Sequence, residues 1–264
     1  MTHEPRIGCF IPIKARSTRV KGKNFRGFRG RPLYQWIIDH AIKAAVFRDV
    51  VVDTDSSEIS DWAVGRGAIA IERDPKLATD AANGNDLIKH HGELFGFEAT
   101  FDYYFQLFAT APNLKPSTIR QAVTAMIELP APYDSILTTR IERGWFWNTS
   151  RQPVNFRPSI LPRSQDADYL IKETTGLYGI TAAALKKYST RTGACPFFFQ
   201  IPEDEAIDLD TDEDFRRAGE VPVATMVPGT AGGAPARMAH GGSVSVPPTP
   251  DHPPETTPVY SQER

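Results

Sequence analysis

The chain has 264 residues and a mass of 29.3 kDa, enough for one large α/β domain or two small ones. Its formal charge of −2 leaves no global positive excess for holding a nucleic acid, and no apolar run approaches the ~18 residues of a membrane span. Neither nucleic acid nor membrane is therefore expected as a partner. The polar amino-terminal residues lack the apolar core of a secretory signal, so the cytoplasm is the expected location. Cys9 and Cys195 are too few for a disulfide framework or a cysteine zinc cluster, and both are expected as buried small hydrophobes.

In chain order, Ile7 to Ile13 reads as a buried first strand, and Leu33, Trp36, Ile37, Ala41 and Ala44 then recur at helical spacing. Val50 to Val52 is a second strand. Asp55 is placed to cap the next helix, with Glu58 three residues on and Gly67 set to end it. Ile69 to Ile71 is a third short strand. Leu87, Ile88, His91, Leu94 and Phe95 mark a helix, Tyr103 to Phe108 a strand, and Ile119, Ala122, Val123 and Met126 another helix. This alternation predicts an α/β, Rossmann-like, mainly parallel sheet with helices on both faces. Such sheets take ligands beyond the carboxyl ends of their strands, here the loops after Ile13, Val52 and Phe108.

From Ile136 to Lys172, aromatic and basic residues among Pro153, Pro158 and Pro162 predict a β-hairpin excursion, with Trp145 and Trp147 alternating as in a strand. Leu177 to Ile180 and Phe197 to Ile201 resume the sheet, and Thr211 to Arg217 opens a last helix with acids in its first turn. Between Pro228 and Arg264 there are 8 Pro and 5 Gly in 37 residues, a composition expected of a disordered tail. Residues 1–227 are then the folded domain.

Two features carry chemistry. Between Pro5 and Ile38 stand nine basic residues and no acid, and eight of the nine, from Lys14 to Arg31, fall in the loop after the first strand. Gly22, Gly27 and Gly30 in that loop let its backbone approach a ligand, and the cations suit a polyphosphate. The spacing matches neither a Walker A loop nor the dinucleotide GxGxxG fingerprint. The second feature is Asp208, Asp210, Asp212, Glu213 and Asp214. In an extended segment Asp208 and Asp210 share a face and suit a hard cation such as Mg²⁺, whereas Asp212 to Asp214 suit a helix start. An unpaired basic loop and an unpaired acid pair imply a metal-bound phosphate between them. A solvated basic face, an RNA-binding patch and a non-catalytic nucleotide sensor are the competing readings of the loop, and the acid pair speaks against nucleic acid. His90 and His91 point to different faces of their helix, and His91, on the apolar one, is expected to pack.

The stretch IPIKARSTRVKGKN, Ile11 to Asn24, resembles the amino-terminal signature of the acylneuraminate cytidylyltransferase (CMP-sialic acid synthetase) family, close to IPARxGSKRxPGKN. Four further segments agree in order over about residues 7–220: TDSSEI, ERDPKLATD, ATAPNLKPSTI and IDLDTDEDF. The resemblance implies transfer of CMP from CTP to an acidic small-molecule acceptor, with Mg²⁺ and loss of pyrophosphate. It implies that Arg19 and Lys23 grip the triphosphate and that Asn24 orders the loop. Cytosine would be read by the backbone near Ile13 with Arg73, Ala78 and Thr79, and Asp208 and Asp210 would hold the metal. Lys23, Arg19 and Asp210 are the expected catalytic residues. The excursion corresponds to the family's dimerisation arm, so a homodimer is expected, and RSQDADY resembles the family's RxQD segment there, placing Arg163 and Gln165 at the acceptor with Lys115, Lys172 and Thr175.

The chain departs from that pattern. Lys14 stands where the family has Arg, and Arg16 takes a Gly position, both on the triphosphate side. ETTGLYG replaces NGAIY, and Phe108 stands near the expected Gln, so the acceptor half has changed more than the nucleotide half. With Lys115, Arg140, Arg143, Arg157, Arg163 and Lys172 in that half, a compact anion is a fitting acceptor. Relatives that activate phosphonates, such as phosphonoformate cytidylyltransferase, are the alternative.

Overall fold

The first strand, β1 (Ile7–Ile13), lies inside the sheet, and its alternating side chains feed two separate cores. Cys9, Ile11 and Ile13 pack with Ile37, Ile38 and Ala41 of α1 (Tyr34–Ala44), Ile59 of α2 (Ser57–Gly65), and Ile119 and Val123 of α4 (Pro116–Glu128). Phe10 points the other way, onto Ile88 of α3 (Gly84–Phe95) and Leu185 of α5 (Ala182–Tyr188). Burying one such side chain contributes about 1.5–3 kcal/mol, so helices on both faces are what this unbroken apolar strand requires. The computed structural model describes residues 4–17, 20–160, 162–163, 166 and 168–220. The chain divides into units of residues 1–223 and 224–264; the expected tail lies in the second, outside the described residues.

The remaining strands of the main sheet are β2 (Asp49–Thr54), β3 (Ile69–Glu72), β4 (Tyr103–Leu107), β5 (Ser135–Glu142), β6 (Leu170–Thr181) and β7 (Pro196–Gln200); Gly27–Phe28 and Arg31–Pro32 pair as a separate small hairpin in the basic loop, and α6 spans Asp212–Glu220. The strands of the main sheet lie in the order β3-β2-β1-β4-β6-β5-β7, in which β6 alone runs antiparallel to its neighbours. The expected mainly parallel sheet with helices on both faces is therefore what forms.

Three local expectations change. Asp55 does not cap α2: Ser56 accepts from the Ile59 amide, while the Asp55 carboxylate reaches back to the Ala15 amide at 2.6 Å. Cys195 is half-buried rather than enclosed. Gly22 and Gly30 have φ of 64° and 82°, and a Cβ at either would meet nothing within 4 Å. Both glycines therefore supply a left-handed turn rather than close backbone approach.

The stem of the excursion belongs to the main sheet, since β5 pairs antiparallel with β6. Beyond it, isolated bridges join Trp147 with Pro153 and Arg157 with Ile160. Trp145 and Trp147 lean on Phe156, yet 44% and 56% of their surfaces remain exposed. A third apolar cluster, Val20, Phe28, Leu33, Leu209, Phe215 and Ala218, fastens the basic loop to α6 and the segment before it. That packing brings the loop and the acids together although about 190 residues separate them in sequence.

Candidate active site

The loop after β1 turns on itself through Asn24, which is buried and whose Nδ2 donates to the Lys14 carbonyl at 2.7 Å. The turn presents Lys23 toward the acids, and Lys23 Nζ lies 2.9 Å from Asp210 Oδ1. Arg26 pairs with Asp212, Arg31 with Asp39, and Lys14 with Asp80. The expectation of an unpaired basic loop is thus corrected at these four residues, because α6, α1 and the segment after β3 bring carboxylates to it. Lys14, Lys23, Asn24, Arg73 and Thr79 line one cavity of about 160 Å³ together with Phe108 and Thr110. Ile13 is buried just before it, at the end of β1. Ala78 lines the neighbouring cavity of about 570 Å³ beside the amino terminus of α2, which Arg73 also borders. Arg16 is exposed and is not among the residues lining the smaller cavity. Arg19 lies outside the described residues.

Asp208 lines a second cavity, and the residue after it is tied to Thr110, which lines the first. The Leu209 amide donates to the Thr110 carbonyl at 2.9 Å, which holds the acid segment against the loop after β4. Burial pushes the Asp208 carboxyl above the ordinary range, and the nearby Asp210 charge adds to that. Its Oδ1 is buried and makes no hydrogen bond among the described residues. A buried, unpartnered carboxylate oxygen is costly, and a hard cation is the partner it suits. No group of three or more acidic, His or Cys donors forms among the described residues. Mg²⁺ usually takes one or two carboxylates and completes its shell with phosphates and water, which this pair fits.

The second cavity, of about 380 Å³, is lined on one side by Asp208 and on others by Arg140 of β5, Lys172 and Thr175 of β6, and Arg217 of α6. Arg140 and Lys172 face each other directly in the β5–β6 register. Arg140 is also paired with Glu142, and an anion between Arg140 and Lys172 would offset what repulsion remains. Arg140 Nε and Thr175 Oγ1 are, with Asp208 Oδ1, buried atoms without hydrogen-bond partners. Three orphaned polar atoms around one cavity mark a place for a polar ligand.

Lys115 is absent from this cavity. It is bound instead to Asp204 at 3.0 Å and to the buried Glu205 at 3.1 Å. Arg163 is mostly exposed and paired with Asp166 at 2.5 Å, and Gln165 lies outside the described residues. Sequence reading missed Arg217, whose place depends on how α6 docks, and the clustering of Arg140 with Lys172, which depends on strand register. It also read His91 as packing alone. His91 is fully buried against Phe10, but its Nε2 lies 2.9 Å from Asp53 Oδ2.

The model of the family described as "Cytidylyltransferase" matches residues 9–187. The CMP-N,N'-diacetyllegionaminic acid synthase of Legionella pneumophila is 40% identical over 223 residues, covering 80% of this chain and 93% of that one. The pseudaminic acid cytidylyltransferase of Campylobacter jejuni is 27% identical over 216 residues, with coverages of 80% and 93%. In fold, the chain is similar to the solved CMP:2-keto-3-deoxy-manno-octonic acid synthetase complexed with CTP, with a TM-score of 0.58 at 19% identity over 81% of this chain and 97% of that one. The chain belongs to the cytidylyltransferase family and is a CTP-dependent nucleotidyltransferase.

Proposed function

We propose that the protein transfers CMP from CTP to a keto-sugar acid of the sialic, legionaminic or pseudaminic type and releases pyrophosphate. The observation that carries this reading is the 2.9 Å contact of Lys23, which lines one cavity, with Asp210 of the acid segment whose Asp208 lines the other cavity and keeps an unpartnered oxygen. CTP occupies the cavity of Lys14, Lys23, Asn24, Arg73 and Thr79, with its triphosphate directed toward Asp208 and Asp210. The acceptor occupies the cavity of Arg140, Lys172, Thr175 and Arg217, its carboxylate held by the cations and a hydroxyl turned toward Asp208. The relatives' names favour a sugar acid over a phosphonate.

An acceptor hydroxyl oxygen attacks the α-phosphorus, the bond to the β-phosphate bridging oxygen breaks, pyrophosphate leaves, and the hydroxyl proton passes to solvent. No protein nucleophile is required, so positioning and charge neutralisation supply the rate. Lys23 neutralises the triphosphate, Asn24 keeps the turn that aims it, and Arg19 is assigned to the same charge. Asp208 and Asp210 would hold Mg²⁺, which when bound would supply further charge neutralisation at the phosphates. Lys14 retains the charge of the family's Arg but grips phosphate at one point rather than two.

The exposed Trp145, Trp147 and Ile160 on the excursion fit the contact of a homodimer, in which Arg163 and Gln165 serve the second protomer's acceptor. Lys115 is assigned to fixing the acid segment through Glu205. The catalytic domain in this reading is residues 1–227, the tail follows from residue 228, and the enzyme works in the cytoplasm. The test is pyrophosphate release from CTP and Mg²⁺ with a panel of keto-sugar acids and small phosphonates, with UTP and ATP as controls. Turnover with CTP and a sugar acid is expected; turnover with phosphonates alone, or none with any acceptor, refutes the reading.

A further inference from the structure

Beside the nucleotide cavity, three ionisable side chains from three elements meet in the core, and the proposed reaction uses one of them. Asp53 lies near the end of β2, Arg73 just beyond β3, and His91 on α3. Their exposures are 1%, 5% and 0%. Arg73 Nε donates to Asp53 Oδ1 at 3.0 Å, and Arg73 Nη2 donates to the Asp53 backbone carbonyl at 2.9 Å. The other carboxylate oxygen, Oδ2, is 2.9 Å from His91 Nε2.

The tautomer follows from the surroundings. His91 Nδ1 is buried and has no hydrogen-bond partner among the described residues. The single proton therefore belongs on Nε2, which donates to Asp53, and burial holds the ring neutral by lowering its pKa. The imidazole is stacked on Phe10 at 4.8 Å between centroids with 15° between planes, and Phe10 is stacked in turn on Tyr104 at 5.2 Å. The donor is thus rigid. A planar guanidinium held at two points cannot rotate, so Asp53 sets the direction of the donors Arg73 has left, and His91 sets Asp53.

Arg73 lines the cavity assigned to CTP. Cytosine offers acceptors at O2 and N3, whereas uracil carries a hydrogen on N3, so two fixed donors favour cytosine and mismatch uracil.

We propose that Asp53 and His91 are positioning residues that fix Arg73 for base recognition, so that the preference for CTP over UTP depends on a histidine that never touches the nucleotide. This rests on the cytidylyltransferase reading of the same cavity. His91→Asn shortens the side chain so that its amide no longer reaches Asp53, while His91→Gln restores a donor near the Nε2 position. His91→Asn is expected to raise KM for CTP about tenfold, the scale of one hydrogen bond to a charged group. The same variant narrows the CTP to UTP ratio of kcat/KM similarly and leaves kcat and the acceptor KM near wild type. His91→Gln should stay within about threefold of wild type, a rescue that loss of packing alone does not produce.

Equal CTP KM values in the two variants, an unmoved CTP to UTP ratio, or an effect on the acceptor KM alone overturns the proposal. If His91→Asn does not fold, as judged by its melting transition, Asp53→Asn decides. It keeps an oxygen for Arg73 but has no second acceptor for His91, and the same narrowing is expected. Calorimetric titration of CTP separates the two claims. A wild-type protein that fails to bind CTP sinks the assignment of the cavity, whereas wild-type binding with both His91 variants unmoved sinks only the role of His91 and Asp53.

Discussion

Replacing Lys23 by methionine keeps the length of the stem and removes the charge. The side chain is 12% exposed, its ammonium is 2.9 Å from Asp210, and it lines the cavity assigned to CTP. Two costs separate cleanly. For folding, Asp210 is 38% exposed, so solvent screens the pair; its loss costs about 1 kcal/mol or less, or about 2–4 °C in Tm for a domain of this size. For catalysis, removing one preorganised donor from developing phosphate charge costs about 10²- to 10³-fold in rate, or about 3–4 kcal/mol of barrier. Steady-state pyrophosphate release, measured beside a thermal melt of the same preparation, reads both. The expected result is a hundredfold or greater loss of kcat/KM with a nearly unchanged Tm. Activity within about threefold of wild type, or a loss matched by unfolding at the assay temperature, refutes the reasoning.

Asp208→Asn should abolish most turnover yet raise the Tm of the ligand-free protein at neutral pH, by about 2–4 °C for about 1 kcal/mol of relieved desolvation. The sign follows from the raised carboxyl pKa: the folded state holds this proton more tightly than the unfolded state, so ionisation destabilises the fold as pH rises through the window between the two values. The gain over wild type should therefore shrink as pH falls toward the ordinary carboxylate range, and a gain that persists there contradicts it. Arg140→Gln or Lys172→Met should raise the acceptor KM about tenfold or more, with the CTP KM unchanged; a rise in the CTP KM alone places the cations at the wrong substrate. Trp145→Ser with Trp147→Ser should shift the protein from dimer to monomer in sedimentation, and an unshifted dimer removes the excursion from the interface.

Elements whose signal is local were legible in the sequence. The apolar run of β1 and the 3.6-residue spacing of α1, α3 and α4 each describe one element against one core, so the order of strands and helices could be written down before any packing was known, except for the short α5, which the sequence reading passed over. Contacts between distant segments were not legible. Asp55 has a capping residue's credentials, but a bond to Ala15, 40 residues away, takes its carboxylate and leaves the cap to Ser56. Lys115 counted as an acceptor cation until Asp204 and Glu205, about 90 residues on, claimed it. The meeting of Lys23 with Asp210 was foreseeable from charge, because a basic loop and an acidic segment in one domain each lack a local partner. The facing of Arg140 and Lys172 was not, because it depends on a register that shifts between Leu137 and Thr139. His91 illustrates the same limit: its apolar face announced burial correctly, while the polar partner waiting there came from β2.

The most direct test is anomalous diffraction from crystals grown with CTP and Mn²⁺. A single strong peak within coordinating distance of carboxylate oxygens of Asp208 and Asp210, with the triphosphate running past Lys23, is the predicted result. A peak elsewhere, or nucleotide density in a cavity that neither Lys23 nor Asp210 reaches, contradicts the account.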